Sequence, residues 1–297
     1  FGHAMYVDEL ERTLYNNVLN GVSIEGNRYN YQNPLSAKSN HRWQWHGCPC
    51  CPPMFLKIVS ALPGYIYAFD DEGLYVNLFI GSNTELTIKG VPVKVTQKTK
   101  YPWQGGVSLV LEPKQPGEFS VNIRVPGWSQ GLENPLGLYR SDLKQSSVVF
   151  KVNGQAIATP PLIRGYAVIK KIWNKGDAIE FELPIQPRRI YAHPEVVADQ
   201  GRVALQSGPI VYCFEQIDNP QISSCFLGSN LPIHLKHRPE LLGGVNVITG
   251  KIFSLNHDET VKDVEFTAIP YYCQDNRADS GRIEVWMPEE QELVKPL

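Results

Sequence analysis

Leu56-Lys57-Ile58-Val59-Ser60-Ala61-Leu62-Pro63-Gly64-Tyr65-Ile66-Tyr67-Ala68-Phe69 is the stretch on which this chain changes its period. Upstream of Pro63-Gly64, the residues Met54, Phe55, Ile58, Val59 and Leu62 recur at helical spacing, and Pro52 and Pro53 suit a first helical turn. Pro63-Gly64 reads as the end of that helix. Beyond it the apolar residues fall in short runs, rich in β-branched and aromatic types and divided by glycine and proline turns, at 65–69, 74–80, 107–111 and 119–125. A run at 148–152 meets 155–157 across Asn153-Gly154, a dipeptide suited to a type I′ hairpin. A second turn, Asn174-Lys175-Gly176-Asp177, precedes 178–183, and further runs follow at 202–206, 210–214 and 282–287. The expected fold is mainly β, with a helical piece over 1–64, an antiparallel sandwich over 65–185 and a second sandwich or C-terminal domain over 186–297.

The helical piece holds a second helix. Val7, Leu10, Leu14 and Val18 predict a helix from about residue 6 to 19 that stops near Gly21, read as a left-handed cap. Glu9 and Glu11 lie on its polar side and are expected to be solvated or paired. Because the chain enters this helix at once, it looks cut from something longer. Between the helices, 28–35 reads as a short strand and turn, followed by the aromatic group Trp43, Trp45 and His46.

Composition bounds the function loosely. The chain has 297 residues, 42% hydrophobic, with a formal charge of −2, as an ordinary globular protein large enough for two domains. Lys94, Lys98 and Lys100 fall in a strand-like stretch and read as a solvated face, so the sequence points to no nucleic acid. No run approaches the ~18 apolar residues of a membrane helix, which points to no membrane.

The chemically distinctive run is His46-Gly47-Cys48-Pro49-Cys50-Cys51-Pro52-Pro53, which holds three of the six cysteines. Cysteines this close cannot readily reach relaxed disulfide geometry with one another. Cys213, Cys225 and Cys273 lie far downstream among strand-like residues, and a chain of this size needs no covalent staples. Reduced thiols are expected, in a reducing compartment, cytoplasm over periplasm. The cluster then reads as a metal site, a reactive thiol or inert packing. Zinc takes thiolate, imidazole and carboxylate ligands, but no second Cys-x-x-Cys closes a zinc ribbon here. Cys50 and Cys51 fall at a helix N-terminus, where free amide N–H groups and the dipole favour thiolate. Trp43, Trp45 and His46 could form a sugar-stacking wall or simply pack. Glu25 could line such a pocket or stand in an exposed loop. His193, His234, His237 and His257 show no ligand spacing and read as structural.

Glu9-Leu10-Glu11-Arg12-Thr13-Leu14-Tyr15-Asn16, then Tyr31-Gln32-Asn33-Pro34-Leu35, then Cys48-Pro49-Cys50-Cys51-Pro52-Pro53, in that order, resemble glycoside hydrolase family 127. Arg124-Val125-Pro126-Gly127-Trp128 and Ala268-Ile269-Pro270-Tyr271-Tyr272 fit the same family. The similarity runs along nearly the whole chain but corresponds to about the second half of such an enzyme. Met54 departs from it, since asparagine is expected after the prolines.

The resemblance implies that residues 1–64 are the end of a catalytic (α/α)6 barrel, followed by β-sandwich domains. It implies a retaining β-L-arabinofuranosidase in which Cys50 is the nucleophile and a zinc ligand, and Cys51 a second zinc ligand. Cys48 matches no ligand position. The third zinc cysteine, the zinc glutamate and the acid/base glutamate would lie upstream, so the isolated chain is expected to be inactive. The implied cofactor is Zn; apart from the resemblance, the residues expected to bind substrate are Tyr31, Trp45 and His46. The implied partner is an arabinose-containing glycan or another glycoside, and a homodimer is compatible with it. The competing class is a non-catalytic carbohydrate-binding or structural β-sandwich module with a structural zinc site.

Overall fold

The computed structural model describes residues 2–39, 41–134, 136–143, 147–277 and 281–294. The chain is mainly β and divides into two compact units. The first comprises residues 1–11, 57–132 and 144–185, and the second 12–56, 133–143 and 186–297.

In the first unit, six strands form one sheet in the order Gln155–Ala156, Phe150–Val152, Asp177–Glu182, Gly106–Pro113, Val91–Thr99, Ser82–Ile88. Five form another: Leu162–Ile163, Tyr166–Trp173, Gly117–Arg124, Gly73–Val76, Tyr67–Phe69. Alternation sets their inner faces, with Val93, Val95, Leu109, Leu111 and Ile179 buried from the first sheet and Leu74, Val121, Ile123 and Trp173 from the second. Lys94 and Lys98, on the opposite phase of their strand, are exposed. Asn153 and Gly154 both have positive φ, 53° and 78°, as a type I′ hairpin requires.

Three expectations change here. The helical signal does not stop at Pro63. This proline opens a further turn, Pro63–Ile66, so the strand begins at Tyr67. The run 74–80 is a strand only over Gly73–Val76. That strand is parallel to Gly117–Arg124, so the unit is not wholly antiparallel. The approach is close enough that a Cβ on Gly73 would lie 2.1 Å from the Ser120 carbonyl oxygen, and only glycine fits there.

Glu11 is paired, the second of the two expected outcomes, but inside the unit and not on a polar face, at 1% exposure. Arg124, fully buried, donates to it, and Tyr101 Oη donates to Glu11 Oε1 at 2.9 Å. A helix-face carboxylate was thus placed inside because a strand brought it a cation.

The second unit is built on an eleven-stranded sheet. Its path runs Tyr139–Ser141, Pro187–Ala192, Arg202–Ser207, Ile210–Glu215, Val261–Pro270, Val245–Leu255, Cys225–Phe226. The run 282–287 is broken into Ile283–Glu284 and Met287–Pro288, which pair with different neighbours. Ser36–Ala37, from the helical part of the chain, adds to this sheet through Ile283–Glu284. The predicted first helix is α-helical over Met5–Thr13, then passes through a π turn at Leu14–Val18 and a 3₁₀ turn at Leu19–Gly21. Within that π turn the buried Asn16 donates to the Pro209 carbonyl at 2.8 Å and accepts from Val211 N–H at 2.8 Å, an inserted polar contact of the kind that widens a helix locally. Gly21 does not adopt positive φ, so the helix ends without a left-handed cap.

Candidate active site

The three clustered cysteines lie in the second unit, just before the helix Pro52–Ala61. Cys51 is the residue from which that helix starts. Its carbonyl accepts from Met54 N–H at 2.9 Å and from Phe55 N–H at 3.3 Å. Cys50 N–H donates to the Cys48 carbonyl at 3.0 Å, closing a tight turn. The expected cradle of free amides is therefore absent. The first two helical residues are prolines without N–H groups, and the third, Met54, already spends its N–H on Cys51. What remains for the thiols is the dipole of the helix and their own neighbours.

All three thiols are exposed and free, and the buried Cys213, Cys225 and Cys273 are also unpaired by disulfides. Cys50 Sγ and Cys51 Sγ stand 3.6 Å apart, within sulfur hydrogen-bond range. This contact, then burial, then the charge of Cys50, hold the Cys51 thiol above its ordinary value. Either sulfur can be the donor in this contact.

Around the thiols lies an aromatic group set by a small hairpin, Arg28–Tyr29 against Trp43–Gln44, with Tyr29 opposite Trp43. Tyr31 meets Trp43 and His46 edge-on, with centroids 6.0 Å and 5.5 Å apart, and Trp43 lies 5.7 Å from His46. Trp45 is on the other side of this alternation, 63% exposed, and touches Tyr29 at 5.7 Å. Burial, followed by the negative charges of Cys50, Cys51 and Cys48, raises the Tyr31 phenol above its ordinary value. Tyr31 therefore faces the thiols as a neutral O–H donor. Its hydroxyl oxygen is enclosed and has no hydrogen-bond partner among the described residues. Structure thus gathers Tyr31, Trp43, His46 and the three cysteines, and leaves Trp45 on a neighbouring aromatic pair.

The other sequence candidates fall elsewhere or in lesser roles. Glu25 is exposed and accepts from Asn27 Nδ2 at 3.1 Å. His237 pairs with Asn246 at 2.9 Å, and His193 Nδ1 accepts from Glu195 N–H at 3.3 Å. Sequence reading gave no signal for Arg42, which looks like a surface residue in an exposed loop but is buried.

Among the described residues no group of three or more histidine, cysteine or acidic side chains is placed to hold a metal ion. The pair Cys50–Cys51 nevertheless suits two corners of a thiolate zinc site. Ligands at ~2.3 Å in tetrahedral array sit about 3.8 Å apart, close to the 3.6 Å found here. The fit covers part of a ligand set, which other residues must complete.

Residues 1–64 match the model of the β-L-arabinofuranosidase GH127 catalytic domain, 73–185 that of the GH127 middle domain, and 187–288 that of the glycoside hydrolase family 127 C-terminal domain. The chain belongs to glycoside hydrolase family 127. A non-reducing end β-L-arabinofuranosidase of Bifidobacterium longum subsp. longum is 30% identical over 268 residues, covering 82% of this chain and 37% of that protein. A crystal structure of a GH127 β-L-arabinofuranosidase from Geobacillus stearothermophilus T6 superimposes with a TM-score of 0.88 at 34% identity, over 97% of this chain and 47% of the other. Another GH127 β-arabinofuranosidase gives a TM-score of 0.94 at 37% identity, over 100% and 47%. The chain spans less than half the length of these relatives.

Proposed function

We propose that this chain supplies the nucleophile side of a retaining β-L-arabinofuranosidase site, with Cys50 as nucleophile and Cys51 beside it as a zinc ligand shared with Cys50. The single observation that carries the reading is the adjacent pair of free, exposed thiols, with sulfurs 3.6 Å apart at the start of a helix. In the ordinary retaining glycosidase two carboxyl groups ~5–5.5 Å apart act as nucleophile and acid/base. Here the Cys50 thiolate takes the first part. Its sulfur forms a bond to the anomeric carbon as the glycosidic C–O bond breaks, and the departing oxygen takes a proton from an acid outside this chain. Water, giving a proton back to that same outside group, then attacks the same carbon, the C–S bond breaks, and the thiolate is restored. Zinc, held by Cys50, Cys51 and donors contributed by the preceding part of the protein, would keep both thiols deprotonated at neutral pH.

The remaining residues of the group orient the sugar. Tyr31 Oη, enclosed and otherwise unbonded, is free to donate to a ring or hydroxyl oxygen, or to the thiolate itself. His46 and Trp43 present ring faces and edges of the kind that sugar C–H groups stack on. Trp45, on the exposed outer side, would meet a more distant part of the glycan.

The test is hydrolysis of an aryl β-L-arabinofuranoside by a protein that joins this chain to the N-terminal part its relatives carry. Cys50→Ser should reduce kcat at least 10³-fold, as loss of a covalent nucleophile does. Wild type inert on this substrate, with zinc bound, would favour a structural metal site instead.

A further inference from the structure

A cavity of about 520 Å³ lies in the second unit, lined by two loops around residues 23–28 and 275–277 together with Arg42. None of Cys48, Cys50, Cys51, Tyr31 or His46 lines it. Its walls are fixed before any ligand arrives. Ser23 Oγ accepts from Asn27 N–H at 3.3 Å and Arg28 N–H at 3.1 Å, and Ser23 N–H donates to the Arg28 carbonyl at 2.8 Å. Ile24 N–H donates to Asn276 Oδ1 at 2.8 Å, tying one loop to the other. Asn276 Nδ2 in turn donates to the Cys273 carbonyl at 2.8 Å.

Two features mark the cavity as more than a gap between loops. Arg42, 5% exposed, spreads its guanidinium over the carbonyls of Asn20 at 2.7 Å, Gln274 at 2.8 Å and Tyr272 at 3.3 Å. Its Nη2 also donates to Asn20 Oδ1 at 3.1 Å, and the nearby charge of Asp275 offsets part of the cost of burying the cation. Two lining residues, Leu242 and Asp275, hold φ of 51° and 54°, a left-handed conformation that costs a side-chain-bearing residue of order 1 kcal/mol or more and clusters at ligand sites.

Charge selects the ligand. Arg277 is neutralised by Asp218 and Glu215. That leaves Arg28 and Arg42 balanced by Glu25 and Asp275, with His41 also on the wall, so an anion would meet two carboxylates and a cation two guanidinium groups. A neutral molecule dense in hydroxyls satisfies both signs, since Glu25 accepts from O–H groups and Arg28 donates to them. The volume falls in the ordinary range for small-molecule sites, and the fixed walls lower the ordering cost of binding.

We propose that this cavity is a second saccharide site, occupied by a neutral sugar unit apart from the one at Cys50. Only the choice of an arabinose-containing probe rests on the hydrolase reading. The test titrates arabino-oligosaccharides of two to four units, and in parallel xylo-, galacto- and manno-oligosaccharides, by calorimetry into the full-length protein. The protein carries Cys50→Ser, with and without the further pair Glu25→Ala and Arg28→Ala. Both of those side chains are exposed, so the fold should survive their loss, and circular dichroism checks it. The expected result is that at least one oligosaccharide binds and that the pair weakens its Kd tenfold or more. Identical Kd values with and without the pair, or no binding by any of the probes, would overturn the proposal. An inert wild type whose saccharide binding still depends on Glu25 and Arg28 would sink the hydrolase reading alone, and active hydrolysis with binding indifferent to the pair would sink the second site alone.

Discussion

Arg124 donates from Nη1 to Glu11 Oε2 at 3.2 Å and from Nη2 to Glu11 Oε1, and neither side chain reaches solvent by more than 1%. Asp8 adds a second carboxylate to the same guanidinium at 2.7 Å. Burial opposes the charge on Arg124, but Glu11 and then Asp8 outweigh it and push its pKa upward. Removing the cation leaves an enclosed carboxylate uncompensated, which costs about 3–5 kcal/mol. Arg124→Leu should lower urea-unfolding stability by that amount. Lys94→Ala, which breaks the exposed pair with Glu112 at 3.4 Å, should change it by no more than ~0.5 kcal/mol. Equal effects of the two would show that burial does not set the value of the pair.

Asp177 governs the turn that follows Asn174. Its Oδ2 accepts from Asn174 N–H at 2.9 Å and Lys171 Nζ at 3.0 Å, and its Oδ1 from Asn153 Nδ2 at 2.8 Å. Burial alone would raise its pKa, yet these bonds to the ionised form lower it below 3.8. A depressed carboxylate stabilises the fold at pH values above its unfolded pKa, and that contribution disappears as pH falls through the lower folded value. Asp177→Asn should therefore cost about 2 kcal/mol at pH 7, and less as the pH drops below 4. A loss independent of pH would mean that shape, rather than charge, matters at this turn.

Cys225 supplies the opposite limb. Burial pushes its thiol from 9.0 up to about 11, against a hydrogen bond with Ser254 and the charge of Lys262. Its raised pKa leaves stability intact below pH ~9. Between ~9 and ~11 the unfolded chain ionises while the folded one does not, so stability falls as the pH rises. Melting temperatures measured from pH 8 to 11 should decline less steeply in Cys225→Ala than in wild type. Identical slopes would assign the alkaline loss to other groups, such as Cys273, whose buried thiol is pushed up to about 12.

Cys51→Ser and Cys48→Ser separate ligand from bystander. If Cys51 holds zinc and Cys48 does not, the first change should cut zinc per protein at least tenfold in the full-length enzyme, and the second should leave it within twofold. Elemental analysis after exhaustive dialysis reads both. Equal loss from the two would bring Cys48 into the ligand set.

Much of this architecture was legible in the chain. Asn153-Gly154 predicted a type I′ hairpin because few dipeptides tolerate two positive φ angles, and both residues have them. The alternation through Val91–Thr99 marked its buried face, and the run ending at Cys51-Pro52-Pro53 marked a helix start. Where local signals failed, tertiary contacts had won. Pro63 could equally stop one helix or open the next, and Gly73–Val76 gave no sign of running parallel to a strand over forty residues downstream.

The sequence by itself determined that the chain is mainly β, that two helices bracket a cysteine cluster, and that this cluster is too tight for internal disulfides. These follow from side-chain periodicity, turn chemistry and bond geometry, all of which act over a few residues. Only the tertiary structure decided that Glu11 goes inside, that Tyr31 rather than Trp45 joins His46 beside the thiols, and that Arg42 lines a cavity with Asp275, more than two hundred residues away. Each of those outcomes depends on which distant group the folded chain brings within hydrogen-bonding or Coulombic reach, and no local pattern encodes it.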